Sequence, residues 1–168
     1  MKKNLFAIFI ACFTQLGLGA QSLVKIRSIF LKADSVVLTG HAYRGMIVSK
    51  EEGPDDRKLV LNGNINPKFI KEQKRITDPD VKYLASFVTK PFKDKMIEES
   101  CFNPHHTIYI FKRKTVSYID ICFGCQEILC SADIQFPDKD FDRATWKKLE
   151  KFFRTQGFKY GFDENKPE

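Results

Sequence analysis

Five cysteines and three histidines hold most of the chemical capacity of this 168-residue chain. Four of the cysteines, Cys101, Cys122, Cys125 and Cys130, fall in one stretch of the C-terminal half together with His105 and His106. Within it Cys122-Phe123-Gly124-Cys125 is a Cys-x-x-Cys pair. Three chemistries are open to this set. Thiols in an oxidising compartment pair as disulfides, and four cysteines allow three connectivities. A bridge from Cys101 to Cys125 or Cys122 would close a loop of about twenty residues and stabilise by about 3 kcal/mol on the chain-entropy estimate. A structural zinc ion is the second: Cys101, His106, Cys122 and Cys125 make a closed tetrahedral donor set, which leaves no position for a reacting water. In that arrangement Asp120 would accept from the other ring nitrogen of His106. The third is a redox Cys-x-x-Cys, or Cys125 as a nucleophile with His106 as its base. A reactive pair favours a helix N-terminus, where the dipole lowers the thiol pKa. Here the motif ends a strand-like run and leads through Gln126-Glu127-Ile128-Leu129 into another, and no third member of a triad is identifiable.

These residues can meet only if the backbone brings them together, and a hairpin does so. His106 to Phe111 and Thr115 to Phe123 are strand-like, with the polar Lys112-Arg113-Lys114 between them. With the turn centred on Arg113, antiparallel pairing sets residues 104 to 106 opposite Cys122 and Cys101 opposite Cys125. A third strand is expected from Ile128 to Phe136.

Upstream, Leu23 to Leu31 and Val36 to Ala42 read as two strands joined by Lys32-Ala33-Asp34-Ser35. Ser49 to Arg57, with Gly53-Pro54-Asp55-Asp56, is a loop. Lys58 to Leu61 is a short strand, Asn62-Gly63 a tight turn, and Lys68 to Ile76 continues the sheet with a charged, exposed face. Thr77-Asp78-Pro79-Asp80 is a helix start: a Thr cap, an acid three positions on and Pro in the first turn. Val81, Leu84, Ala85 and Val88 follow at helical spacing, giving a helix from Asp78 to Thr89 that Pro91 ends. A second helix runs from Asp142 to Gln156, with Thr145, Leu149, Phe152 and Phe153 on one side, Trp146 beside them and Gly157 as its stop. The fold class is therefore α+β, an antiparallel sheet with two helices packed on one face, forming a single domain over residues 21–162 with a frayed tail at 163–168. His41, near the end of a strand, reads as a half-buried, hydrogen-bonded side chain. The acid pairs Asp55-Asp56 and Glu98-Glu99 read as solvent-facing charge. No nucleotide-binding loop, metalloprotease helix or serine nucleophile elbow is present.

The first twenty residues are set apart. Met1-Lys2-Lys3-Asn4 precedes an apolar run from Leu5 to Leu18 and the small pair Gly19-Ala20, the layout of a secretory signal peptide cleaved near Ala20. Lipidation at Cys12 is the rival reading, opposed by the apolar character of the residues after it. Beyond this segment no apolar stretch reaches membrane-spanning length, so the cleaved chain is not expected to be transmembrane. Cleavage removes Lys2 and Lys3 from 28 basic residues and nothing from 21 acidic ones, lowering the net charge from +7 to +5. In the periplasm or outside the cell such a chain meets anionic lipid head groups, acidic glycans or an acidic protein, and intracellular nucleic acid is not the expected partner.

Cys101-Phe102-Asn103-Pro104-His105-His106, followed by Ile119-Asp120-Ile121-Cys122-Phe123-Gly124-Cys125, resembles a pattern in uncharacterised small secreted proteins of Bacteroidota and related bacteria. The resemblance covers about a fifth of the chain and implies no activity. It implies that Cys101, His106, Cys122 and Cys125 belong together, with Cys130 accessory. Taken together, the sequence reads as an exported binding or inhibitory envelope module with a Cys/His cluster serving as a disulfide or zinc staple. The alternative is a thiol- or metal-dependent envelope enzyme.

Overall fold

Leu23, Ile26 and Phe30 recur at helical spacing and are all buried, and residues 21–31 form a helix, α1, in the computed structural model, which describes residues 21–42, 58–91, 102–137 and 141–162. The strand expected over Leu23 to Leu31 is therefore a helix. Its isoleucines favour a strand locally, but Lys25 and Arg27 then point outward while the apolar stripe lies on the sheet, and that packing decides the outcome. Residues 1–20, with the expected signal segment and Cys12, lie outside the described residues. So do Asp55-Asp56 and the 49–57 loop, Glu98-Glu99, Cys101 and the 163–168 tail.

The chain then forms β1 (Ser35–His41), the small pair β2 (Val60–Leu61) and β3 (Asn64–Ile65), and β4 (Ile70–Arg75). Asn62 and Gly63 both adopt positive φ, 51° and 74°, in the tight turn between β2 and β3. Helix α2 (Asp78–Val88) follows, with the Thr77 hydroxyl accepting from the Asp80 N–H as the sequence pattern predicts. Next come β5 (His106–Lys112), β6 (Thr115–Cys122) and β7 (Glu127–Cys130), and then α3 (Arg143–Thr155). Helix α3 is capped by Asp142, whose carboxylate accepts from the Thr145 N–H at 2.7 Å, and it ends at Gly157 with φ +100°.

The result is an α+β fold: among the described residues, three helices, a five-stranded antiparallel sheet in the order β4-β1-β5-β6-β7, and the separate β2–β3 pair. The third strand is shorter than the expected run to Phe136. After Cys130 the chain turns, because the Ser131 hydroxyl donates to Asp133 and the Ile134 N–H donates to the Ser131 carbonyl. Alternation along the strands divides the sheet into two faces. Val36, Leu38, Ile108, Ile110, Ile119 and Ile121 face the stripes of all three helices, where Phe30, Leu84, Leu149 and Phe153 complete the main core. Val37 and Tyr109 face the other way, against Leu59 and the β2–β3 pair.

Candidate functional site

The β5–β6 turn fixes what can meet at the far end of the hairpin. Arg113 takes φ 54° and its N–H donates to the Asp34 carboxylate, so Lys112 pairs with Thr115 across a two-residue turn. The whole register therefore lies one residue away from a turn centred on Arg113. His106 pairs with Ile121, and the residue opposite Asp120 is Thr107. A one-residue shift moves every side chain of one strand to the opposite face relative to the other, and here it takes Asp120 off the face of His106.

On the face away from the helices, β1, β5 and β6 contribute Thr39, His41, Thr107 and Asp120, each 0% exposed. Asp120 Oδ1 accepts from the Thr107 hydroxyl at 2.8 Å and from His41 Nε2 at 3.1 Å. His41 Nδ1 lies 3.1 Å from the Ala42 carbonyl oxygen. Both acceptors need a ring N–H, so the doubly protonated imidazolium satisfies both and a neutral ring satisfies one. The expectation that Asp120 would serve His106 is thus corrected: its histidine is His41, 79 positions away in sequence. His41 itself is fully buried, where a half-buried side chain was expected.

His105 continues the strand ladder past β5. Its carbonyl accepts from the His41 N–H at 2.8 Å, its N–H donates to the Ile121 carbonyl, and its ring Nδ1–H donates to the His41 carbonyl at 3.1 Å. His106 points to the helix face and is enclosed by the rings of Phe123, Phe153, Phe158 and Phe162, the last with its centroid 4.2 Å away. Burial pushes its pKa from 6.5 down to about 3, and repulsion from His41 and His105 adds to the shift. Its imidazole is therefore neutral at physiological pH. The segment after α3 closes over both rings at Gly161. A Cβ there would come within 2.8 Å of the His105 Cβ and 3.0 Å of the His106 Cε1, and φ is +76°.

Cys122 ends β6, and the chain returns through residues 123–126 to pair Cys122 with Glu127. Cys122 and Cys125 are joined as a disulfide across this turn. They are 4% and 6% exposed, and the Cys125 N–H points at the Cys122 sulfur. The bridge is thus local to the Cys-x-x-Cys, in place of the expected link from Cys101 across the hairpin. Of the four residues weighed as zinc ligands, Cys101 lies outside the described residues and Cys122 and Cys125 are bonded to each other. His106 is on the opposite face of the sheet from Cys122 by strand alternation. A sulfur in a disulfide has no thiolate to offer a metal, so in this oxidised form the described members of that set do not assemble into one centre. Cys130, half-buried, closes β7.

His41 was the residue sequence reasoning undervalued. The available signal was the occurrence of Thr39, His41, Thr107 and Asp120 at positions alternating with apolar residues on strands otherwise built for a core. No family model matches the chain, nor does any curated protein or solved structure.

Proposed function

We propose that the protein is an exported binding module whose Cys/His/Asp cluster is a structural staple. What supports this is that the reactive groups face inward: His41, Asp120 and Thr107 hold one another at 0% exposure, and the Cys122–Cys125 bridge pins the turn beside them. The signal-peptide layout of residues 1–20 supplies the oxidising compartment that such a bridge needs. Among the described residues no helix is long and apolar enough to cross a membrane. Interaction then falls to the outer surface, with an acidic protein or an anionic envelope component as the class of partner.

The test is the state of the cysteines in the protein recovered after export. Intact mass with and without alkylation should show Cys122 and Cys125 oxidised, and a dithiol should reduce them only once denaturant is added. Cys122→Ser should lower stability by about 2 kcal/mol, the chain-entropy estimate for so short a loop, and impair binding only through that loss. Metal content on the same sample tests zinc directly.

A second reading has one observation in its favour. The Cys-x-x-Cys is bonded as the oxidised form of a redox pair would be. Rapid reduction of the native protein by a dithiol, with a well-folded but inactive Cys122→Ser variant, would favour that reading over the staple.

A further inference from the structure

We infer that the outward face of α3 binds an anionic lipid surface. This rests on the preceding reading only in placing interaction on the outside of the fold. The buried side of α3 is fixed by Thr145, Trp146, Leu149, Phe152 and Phe153, and the outer side could carry any polar mixture. It carries Arg143, Lys147, Lys148, Lys151 and Arg154, all exposed. That pattern works against the helix itself. Arg143 stands in the first turn, which contains no acid, where the dipole disfavours a cation. The pairs Arg143/Lys147 and Lys147/Lys151 place like charges at i,i+4. Glu150 is the acid among them, and it is engaged by Arg154 at 2.9 Å. Among the described residues no carboxylate pairs with Arg143, Lys147, Lys148 or Lys151, so their field is directed outward. On the same face Lys147, Glu150, Lys151, Arg154 and Thr155 line a shallow depression open to solvent.

An aromatic ring flanks this face where α2 meets α3. Tyr83 of α2 is 55% exposed, and its ring packs 6.0 Å from Phe152, one helical turn beyond Lys148. A half-exposed phenol at the flank of a basic face, on the side of Lys148, suits the head-group region, where the ring sits at the boundary and the lysines reach phosphates. Three of the five cations are lysines, point charges adapted to a diffuse anionic plane more than to bidentate recognition of single carboxylates. Charge complementarity therefore favours a membrane over an acidic protein.

The experiment compares the full chain with a Lys147→Gln/Lys151→Gln variant in vesicle co-sedimentation, so that any contribution of residues 1–20 is common to both. Wild type should bind phosphatidylcholine vesicles containing about a third phosphatidylglycerol, ignore pure phosphatidylcholine, and be released between about 0.05 M and about 0.5 M salt. Each neutralised lysine should weaken partitioning about 5-fold, so the double variant should bind about 25-fold more weakly, with a melting temperature no lower than that of wild type, because two like-charge pairs at i,i+4 are relieved. Absence of binding to anionic vesicles, or equal binding by the two proteins, overturns the inference. Tight, lysine-dependent binding of soluble polyglutamate with vesicles ignored also overturns it and assigns the face to an acidic protein. None of these results bears on the disulfide staple, which the cysteine experiment decides separately.

Discussion

Acidifying the protein from about pH 7.5 to about pH 5 should remove about 2 kcal/mol of stability through His106 alone. An unfolded imidazole titrates at 6.5, whereas His106 in its phenylalanine cage titrates at about 3. Between these values the unfolded chain binds a proton that the native state refuses, so stability rises with pH across the window. The contribution is complete above 6.5, is lost progressively as pH falls, and stops changing below about 3. At about pH 5 the drop is about 1.5 pH units below the unfolded value, at about 1.4 kcal/mol per unit, which gives the figure of about 2 kcal/mol. The comparison protein is His106→Phe, which fills the cage with another ring and cannot titrate. Urea unfolding followed by the fluorescence of Trp146, the one tryptophan and a buried one, reports both proteins. Other groups contribute equally to the two curves and cancel. Wild type should lose about 2 kcal/mol more than the variant between the two pH values. The same pH dependence in both would refute the argument that burial among Phe123, Phe153, Phe158 and Phe162 keeps this ring neutral.

The polar face offers the opposite test, because its groups are paired. Asp120→Ala strands the His41 ring and the Thr107 hydroxyl inside the fold and should cost about 3 kcal/mol or more in urea unfolding; a loss below about 1 kcal/mol would mean that the cluster is dispensable. Thr39 is fully buried and its hydroxyl oxygen has no hydrogen-bond partner among the described residues, so Thr39→Val should raise the unfolding free energy by about 1 kcal/mol, and a clear decrease would show that the hydroxyl is satisfied. Gly161→Ala should cost about 2 kcal/mol from its positive φ and the closeness of His105, read as a lower melting temperature, and an unchanged melt would count against the close approach. Finally, staple and basic face should be separable: Cys122→Ser/Cys125→Ser should lower the melt and leave vesicle partitioning of the folded protein intact, while Lys147→Gln/Lys151→Gln should weaken partitioning without lowering the melt. A cysteine variant that loses partitioning while folded, or a lysine variant that lowers the melt, would deny the separation.

Elements whose ends are marked by local chemistry are legible in the sequence. Thr77 and Asp142 cap α2 and α3 as their side chains dictate, Gly157 stops α3, and Asn62-Gly63 turns between β2 and β3. Helix α1 is less legible because its isoleucines favour a strand locally, and only the sheet beneath Leu23, Ile26 and Phe30 settles the matter. The site was legible as a set of residues and not as an arrangement. That His105, His106 and Cys122 lie at one end of the sheet follows from the hairpin alone. Which histidine reaches Asp120 follows from a turn of two residues, held by the Asp34 carboxylate from a distant segment, and no local pattern around Lys112-Arg113-Lys114 specifies that contact.

The convergence has a physical reason that needs no catalysis. At this end of the sheet β1 stops at His41 and β6 at Cys122, while β5 begins only at His106, so the ladder runs out where backbone groups are still buried. Buried carbonyls and N–H groups must find partners or cost free energy. The residues present supply them. The His105 ring donates to the His41 carbonyl, the His41 ring reaches the Ala42 carbonyl, and the His105 backbone bridges His41 and Ile121. The Asp120 carboxylate accepts from the His41 ring, and Thr107 fixes that carboxylate in place. The Cys122–Cys125 bridge then closes the turn that would otherwise fray next to them. His106, one position away on β5, faces an aromatic core and is neutral there. Two adjacent histidines thus do different work because strand alternation sends their rings to opposite sides of the sheet, and the polar cluster is explained by the end of a β-ladder.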